Sequence, residues 1–531
     1  MPRMTGGQAL ARSLAREGVR VIFGLPGVQL YHATDALYDE PGIRFINVRH
    51  EQATAYMADG YARASGRPGT AMVVPGPGLM NASAAIGTAY AASSPVLVIA
   101  GQVNRDLIGA DRGILHEVND QQDIIRPVTK AVYRVLDPAE IPADVREAFR
   151  QLRTGRPRPV EIEIPPETLA EEADIELLEP GDDTREAADQ ASIEEAARIL
   201  AAAERPLIWA GGGVISSGAS DALLRVAEHL QAPVVATPEG KGAIPDSHYL
   251  SLGAMKRDDP MRDHLATYDV ILAVGTRFAV ANPTEAQRVV QIEIDPDEAG
   301  RNFANTHPVV GDARATLERL HEVLTSTSEP RPSRRAELEA YRAERAGPEL
   351  RVEPQDALLK AVRSAVPDDG ILVAGMTQLG YYSRAFYPVY EPGTYMTSSY
   401  FGNLGYAYPV ALGAKVAQPG RAVVALSGDG GFQFNVQELA TAVQHNINAV
   451  VVVFNDNAYG NVLRDQMVRF NGRVIGAELH NPDFVRLAEA YGVRGVRADG
   501  PDALELALRE ALAIEAPTLI EVPVGPMPSP F

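Results

Sequence analysis

Val423-Val424-Ala425-Leu426-Ser427-Gly428-Asp429-Gly430-Gly431 decides the fold. An uninterrupted apolar run stops at a glycine turn, and a helical pattern follows it. A second run, Ala449-Val450-Val451-Val452-Val453-Phe454, stops in the same way at Asn455-Asp456-Asn457-Ala458-Tyr459-Gly460. Apolar runs bounded by turn residues read as strands buried on both faces, the pattern of a parallel sheet with helices on either side. Ligands collect at the carboxyl edge of such a sheet, so both loops are expected to meet there. Backbone N–H groups beyond a glycine turn suit an anion such as a diphosphate. Mg²⁺ prefers oxygen ligands and bridges carboxylates to phosphate oxygens. Asp429, Asp456 and the Ala458 carbonyl form a candidate metal set, with Gly428, Gly430, Gly431, Tyr459 and Gly460 shaping the two loops. Alone, Gly-Asp-Gly is an ordinary turn; two such loops on neighbouring strands point to a site.

The same alternation of strand and helix extends over the chain and predicts an α/β protein with three open parallel-sheet domains. The first spans 1–165, with a helix near Gln8–Glu17, a strand at Val19–Phe23, a helix over Glu51–Ala64 and a strand at Thr70–Val74. Residues 166–190, with Pro180-Gly181-Asp182-Asp183, read as an exposed linker. The second domain spans 191–325, with strands at Pro206–Trp209, Val234–Thr237, Val270–Val274 and Val289–Ile294. A polar, proline-rich run at 326–333 leads to the third, 337–531. The first and third blocks each carry a strand, a glycine turn and a small-residue helix, which suggests related folds.

With 531 residues the chain has ample length for three cores. Its 69 acidic against 49 basic residues give a net charge of −20, which offers no general attraction to nucleic acid or anionic lipid; neither nucleic acid nor a membrane is an expected partner. The absence of cysteine excludes disulfides, thiolate metal sites and cysteine nucleophiles. The N-terminal residues lack an apolar signal-peptide core, and a cytoplasmic location is the expectation.

The Gly428-Asp429-Gly430 and Asn455-Asp456 loops make the chain resemble the thiamine diphosphate enzymes of the acetolactate synthase, pyruvate oxidase and benzoylformate decarboxylase superfamily, and the likeness covers essentially the whole chain. The resemblance implies pyrimidine-binding, central and diphosphate-binding domains in that order, with thiamine diphosphate and Mg²⁺ as cofactors. It assigns Asp429, Asp456 and the Ala458 carbonyl to the metal, although Asn is usual where this chain has Asp456. Arg49-His50-Glu51-Gln52-Ala53 resembles the family's glutamate helix. There Glu51 contacts the aminopyrimidine nitrogen N1′ and promotes the cofactor's own activation, a task that needs a carboxyl able to hold a proton at neutral pH.

The segment Ser398 to Pro409 resembles the one that holds the pyrimidine, with Gly402 in its turn and Leu404 as the apolar wedge where relatives often have Met. Gly27, Gly76, Thr377 and Gln378 match further cofactor-facing loops. Because relatives assemble each site from Glu51 of one chain and the metal loops of its neighbour, a homodimer or homotetramer with sites at the subunit interface is implied.

The likeness frays around the substrate. Acetolactate synthases carry Phe-Gln where this chain has Leu115-His116, so His116 is a candidate proton donor or acceptor, and Gln121 is a weaker candidate catalytic residue. Ala210-Gly211-Gly212-Gly213 and Gln291 to Asp297 are similar to segments that cradle FAD or an adenine nucleotide. The flavin-associated Arg-Phe-Asp-Asp element is here Arg277-Phe278-Ala279-Val280, so FAD is not expected. The reading is thiamine diphosphate-dependent carboligation or cleavage of a small carbonyl substrate, a 2-oxo acid or acyloin. Alternatives are a 2-oxo acid decarboxylase, a 2-hydroxyacyl-CoA lyase or a dione hydrolase. From other classes, the rivals are a nicotinamide dehydrogenase and a non-catalytic cofactor-binding protein.

Overall fold

The computed structural model describes residues 2–254 and 258–529. Three six-stranded sheets form its layers, each with every neighbouring pair parallel. The first runs Arg44–Asn47, Val21–Gly24, Gly69–Val73, Val96–Gly101, Val160–Ile164, Ala131–Arg134 across the sheet. The third runs Tyr395–Thr397, Ile371–Ala374, Val423–Gly428, Val450–Asn455, Thr518–Pro523, Arg494–Arg497. Numbered by chain order within its own sheet, each reads 2-1-3-4-6-5, so the kinship of the outer blocks suggested by their glycine turns extends to topology. The central sheet reads 3-2-1-4-5-6, the strand order of dinucleotide-binding folds.

The strands form where apolar runs predict them. Val423–Gly428 and Val450–Asn455 are buried along nearly their whole length and pair in register from Val424–Val450 to Gly428–Phe454. That register brings Asp429 and Asp456 to one edge.

Helix Glu51–Ser65 starts at His50, whose Nδ1 accepts from the Gln52 N–H, and ends at Gly66 with φ 69°. It packs on helix Ala407–Ala417 at backbone distance: a Cβ at Gly60 would lie 2.0 Å from the Val410 carbonyl oxygen, and one at Gly413 1.9 Å from that of Met57. Residues of the first and third blocks consequently share one hydrophobic core. Arg63 adds the central block, donating to Glu239 at 3.0 Å and to the Thr397 carbonyl at 2.8 Å.

Past Ile164 the chain forms a short helix, Pro166–Ala170, and a strand, Glu172–Asp174, that pairs antiparallel with Arg3–Thr5. Residues 175–189 then carry no helix or strand. No helix among the described residues is long and apolar enough to cross a membrane.

One carboxyl in the first sheet is costly. Glu161 is fully buried in strand Val160–Ile164, and neither of its oxygens has a hydrogen-bond partner. Burial, and then the nearby Glu163 charge, push it well above the usual carboxylate range. Because the folded-state pKa is raised, folding takes up a proton from about pH 4 upward and stability falls as pH rises, by at most about 1.4 kcal/mol per pH unit. Glu161→Gln is expected to raise the melting temperature at pH 8 and to narrow the gap between pH 5 and pH 8. An unchanged gap in paired thermal scans would refute that.

Candidate active site

The third sheet's carboxyl edge holds a cavity of about 140 Å³ lined by Thr377, Gln378, Leu404, Asp429, Asp456 and Tyr459, with the Gly428–Gly431 turn as its floor. The glycines are needed because neighbours crowd the turn: a Cβ at Gly430 would sit 2.6 Å from the Tyr459 ring, and one at Gly460 2.3 Å from Asp456 Oδ2. Leu404 reaches this turn, with Cδ2 3.8 Å from the position a Gly431 Cβ would take. Gly402 has φ 67° and Gly405 φ 84°, left-handed turns that suit glycine.

Asp429 is buried. Its Oδ1 accepts from the Gly430 N–H at 2.8 Å and its Oδ2 from Asn481 at 2.5 Å. Asp456 Oδ1 accepts from the Ala458 N–H at 3.2 Å. The loop around Ala458 is clamped by Tyr459 N–H to Ala477 O, 2.8 Å, and Leu479 N–H to Asn457 O, 2.7 Å. Burial raises Asp429, and burial followed by the Asp429 charge raises Asp456 to about 6. Two buried carboxyls, one of them raised further by the charge of the other, form a pair that a divalent cation would satisfy. No third His, Asp or Glu joins them in a metal-type cluster among the described residues, so a cation held there would take its other ligands from carbonyl, phosphate or water oxygens.

Gln378 accepts from Arg464 at 2.9 Å. Asn403 donates to the Ala84 carbonyl at 3.2 Å and to the Tyr56 hydroxyl, and accepts from Thr88 at 2.7 Å. It thereby anchors the Leu404 segment on two helices of the first domain.

Glu51, Gly27, Gly76 and His116 do not line this cavity. They belong to the first domain. Glu51 opens its helix half-exposed and accepts from Asn81 at 3.0 Å. Glu438 of the third domain is buried and accepts the Arg49 and His50 N–H groups at 3.1–3.2 Å, fixing the start of that helix. Gly27 fits against Val74, where a Cβ would be 2.3 Å from Cγ1, and Gly76 has φ 58° with its Cβ position 2.4 Å from the His116 carbonyl oxygen. His116, half-buried with φ 69°, meets Gln29 Oε1 through Nδ1 at 3.0 Å.

Gln121, a catalytic candidate from sequence, is instead buried and committed: it accepts from the Gly76 N–H at 2.9 Å and donates to Gly101 O and Glu163 at 2.9 and 3.0 Å. Its amide holds the Gly76 turn.

Sequence reasoning missed Asn481, Asn403, Glu438 and Gln29. Asn481 stands in His480-Asn481-Pro482-Asp483, whose Asn-Pro turn marks a helix entry but says nothing of Asp429. Beyond these, a cavity of about 410 Å³ at the edge of the central sheet is lined by Gly212, Gly213, Thr237, Arg277 and Glu293, residues that lie in or beside the two nucleotide-like segments.

Three family signatures match in order: "Thiamine pyrophosphate enzyme, N-terminal TPP binding domain" over residues 4–124, the central domain over 193–320 and the C-terminal TPP binding domain over 375–522. A probable acetolactate synthase large subunit of Methanocaldococcus jannaschii is 36% identical over 98% of this chain and 92% of the relative. A probable 2-ketoarginine decarboxylase of Pseudomonas aeruginosa is 36% identical over 98% and 94%. The acetolactate synthase isozyme 3 large subunit of Escherichia coli is 34% identical over 96% and 93%. With matching outer folds, two facing carboxyls at the sheet edge and full-length relatives, the chain belongs to the thiamine pyrophosphate enzymes that make or break carbon–carbon bonds.

Proposed function

We propose that this enzyme uses thiamine diphosphate with Mg²⁺ to join or cleave 2-oxo acids and acyloins in the manner of acetolactate synthases. The observation that carries the reading is the Asp429–Asp456 pair on adjacent parallel strands, each raised by burial and Asp456 further by its partner. Asp429, Asp456 and the Ala458 carbonyl would hold the metal. The Gly428–Gly431 turn, Thr377 and Gln378 surround the diphosphate position, and Tyr459 and Gly460 close it. Leu404 supplies the apolar support for the thiamine rings, with Gly402 giving its segment the turn, and Gly27 and Gly76 shape the facing loops. When bound, the cofactor acts as the electron sink for the carbon next to the carbonyl. Glu51 shares a proton with the pyrimidine ring, His116 exchanges protons with the substrate, and Gln121 positions the Gly76 turn.

A 2-oxo acid decarboxylase is the second reading. His116 puts a proton-exchanging group where acetolactate synthases carry Gln, and a relative of equal identity bears a decarboxylase name.

The active site is completed by a second copy. In one chain Glu51 lies outside the Asp429 cavity. The first domain exposes Val28, Tyr31, Met80 and Leu115, while Val462, Met467, Val468 and Phe470 are exposed around helix Gly460–Arg469. Apolar surface of this kind calls for a partner, and a two-fold dimer would bring these surfaces together twice. Co-expression of Glu51→Gln with Asp429→Asn tests this. Each variant alone is expected to be inactive, whereas random pairing restores about one quarter of the wild-type sites, since half the dimers are mixed and each has one intact site. Absence of any recovery in purified mixed dimers would place both residues of a site on one chain.

A further inference from the structure

We infer that Gln29 is a positioning residue that fixes the tautomer of His116, leaving Nε2 of the neutral ring as a hydrogen-bond acceptor and base toward the substrate. The inference rests on the function proposed above and deepens it by assigning the direction of one proton. Gln29 is buried and contacts two groups at once: its Nε2 donates to the Leu115 carbonyl at 3.3 Å and its Oε1 faces His116 Nδ1 at 3.0 Å. A carbonyl oxygen only accepts, so the amide nitrogen must face Leu115, and the amide oxygen must face His116. That oxygen only accepts as well. The imidazole therefore carries its proton on Nδ1, and in the neutral ring Nε2 keeps its lone pair.

The loop that carries the ring is held at several points. The His116 backbone is in the left-handed region at φ 69°, and its carbonyl abuts Gly76, itself at φ 58°. Glu117 fastens the same loop by accepting the Arg112 and Ile114 N–H groups, both at 3.0 Å. Gln121 in turn holds Gly76. Nε2, on the far side of the ring from Gln29, has no hydrogen-bond partner among the described residues.

The tautomer has a chemical consequence. In the cleavage direction the proton of the substrate's hydroxyl passes to Nε2, the carbonyl forms, the carbon–carbon bond breaks, and its electron pair stays on the departing carbon. In ligation the same proton returns from Nε2 to the new alkoxide oxygen. A neutral His116 so held accepts from a hydroxyl, and it attracts a substrate carboxylate only after protonation.

The titratable groups on the elements packed around His116 are few. Asp111, Arg112 and Glu117 lie on its own loop, and Glu117 is held low first by the Ile114 N–H. Tyr31, His32, Asp35 and Tyr38 follow Gln29 in helix Tyr31–Tyr38, and Asp120 and Asp123 flank Gln121. Helix Pro77–Ala92 beyond Gly76 has no charged residue.

The test uses the intact enzyme with ring-¹⁵N-labelled histidine, the His116 resonances being assigned by their loss in His116→Gln. At a pH where the ring is neutral, protonated Nδ1 and bare Nε2 are expected in the wild type, with or without cofactor. Gln29→Leu is expected to release this preference and lower kcat/KM by about tenfold, as loss of an orienting partner does for other held imidazoles, with thiamine diphosphate affinity unchanged. Gln29→Glu is expected to restore the tautomer and move the acid limb of kcat/KM upward by about one pH unit, because a carboxylate beside Nδ1–H favours the protonated ring. A merely structural Gln29 would leave both the tautomer and that limb in place. Bare Nδ1 in the wild type, or an unmoved limb in Gln29→Glu, overturns the inference. Because the tautomer is read without turnover, a failure of the cofactor reading would show separately, as absent thiamine diphosphate binding.

Discussion

Asp429→Asn is expected to weaken Mg²⁺ binding by at least about a hundredfold, since even partners one shell beyond a metal typically contribute about 10–100-fold. The amide oxygen can still accept from the Gly430 N–H, but the acceptor that faced the Asn481 amide nitrogen is lost together with one of the two charges facing the cation. Without metal the effect on stability should have the opposite sign. Both carboxyls are raised in the folded protein, Asp456 to about 6, so the metal-free wild type loses stability as pH rises from about 4 through 6. The variant has lost one of the repelling charges and should lose less over that window. Mg²⁺ titration calorimetry together with metal-free melting curves at pH 5 and 7 checks both halves. Wild-type Mg²⁺ affinity in the variant would remove Asp429 from the metal set.

Glu51→Gln is expected to lower kcat by about 10²–10⁴-fold, the range for loss of a positioned acid or base, while Mg²⁺ binding and folding stay near wild type. The reason is separation of roles. Glu51 contributes no lining to the Asp429 cavity, and its neighbouring contact, Asn81, can still donate to the glutamine oxygen. The backbone at the helix start is held by Glu438 irrespective of the residue at 51. Full turnover in Glu51→Gln would remove the carboxyl from the proton path. Loss of Mg²⁺ binding would show that its part is structural.

What could be read from the sequence was the chemistry declared by short, continuous segments. Val423–Gly431 and Val450–Gly460 carry strand, turn and carboxylate side by side, so both carboxyls proposed for the metal, and their shared edge, were visible. The Glu51 helix was visible through its resemblance and its pattern. What stayed hidden were side chains whose partners come from far along the chain: Asn481 is 52 residues from Asp429, and Glu438 is 389 from Arg49. No local pattern encodes such pairings. Gln121 shows the same limit from the other side, since nothing in the sequence around it tells that its amide also holds the Gly76 turn. The antiparallel pairing of Glu172–Asp174 with Arg3–Thr5 was equally illegible, because neither short segment carries a strand period of its own.

Turnover of the cofactor-stripped enzyme on a panel of 2-oxo acids and acyloins, with thiamine diphosphate and Mg²⁺ added separately and together, tests the central claim most directly. Carbon dioxide, aldehyde or ligation product should appear only when both are present, with acetolactate from pyruvate supporting the synthase reading and aldehyde alone the decarboxylase one. Turnover that ignores thiamine diphosphate, or no binding of it at saturating Mg²⁺, would contradict the account.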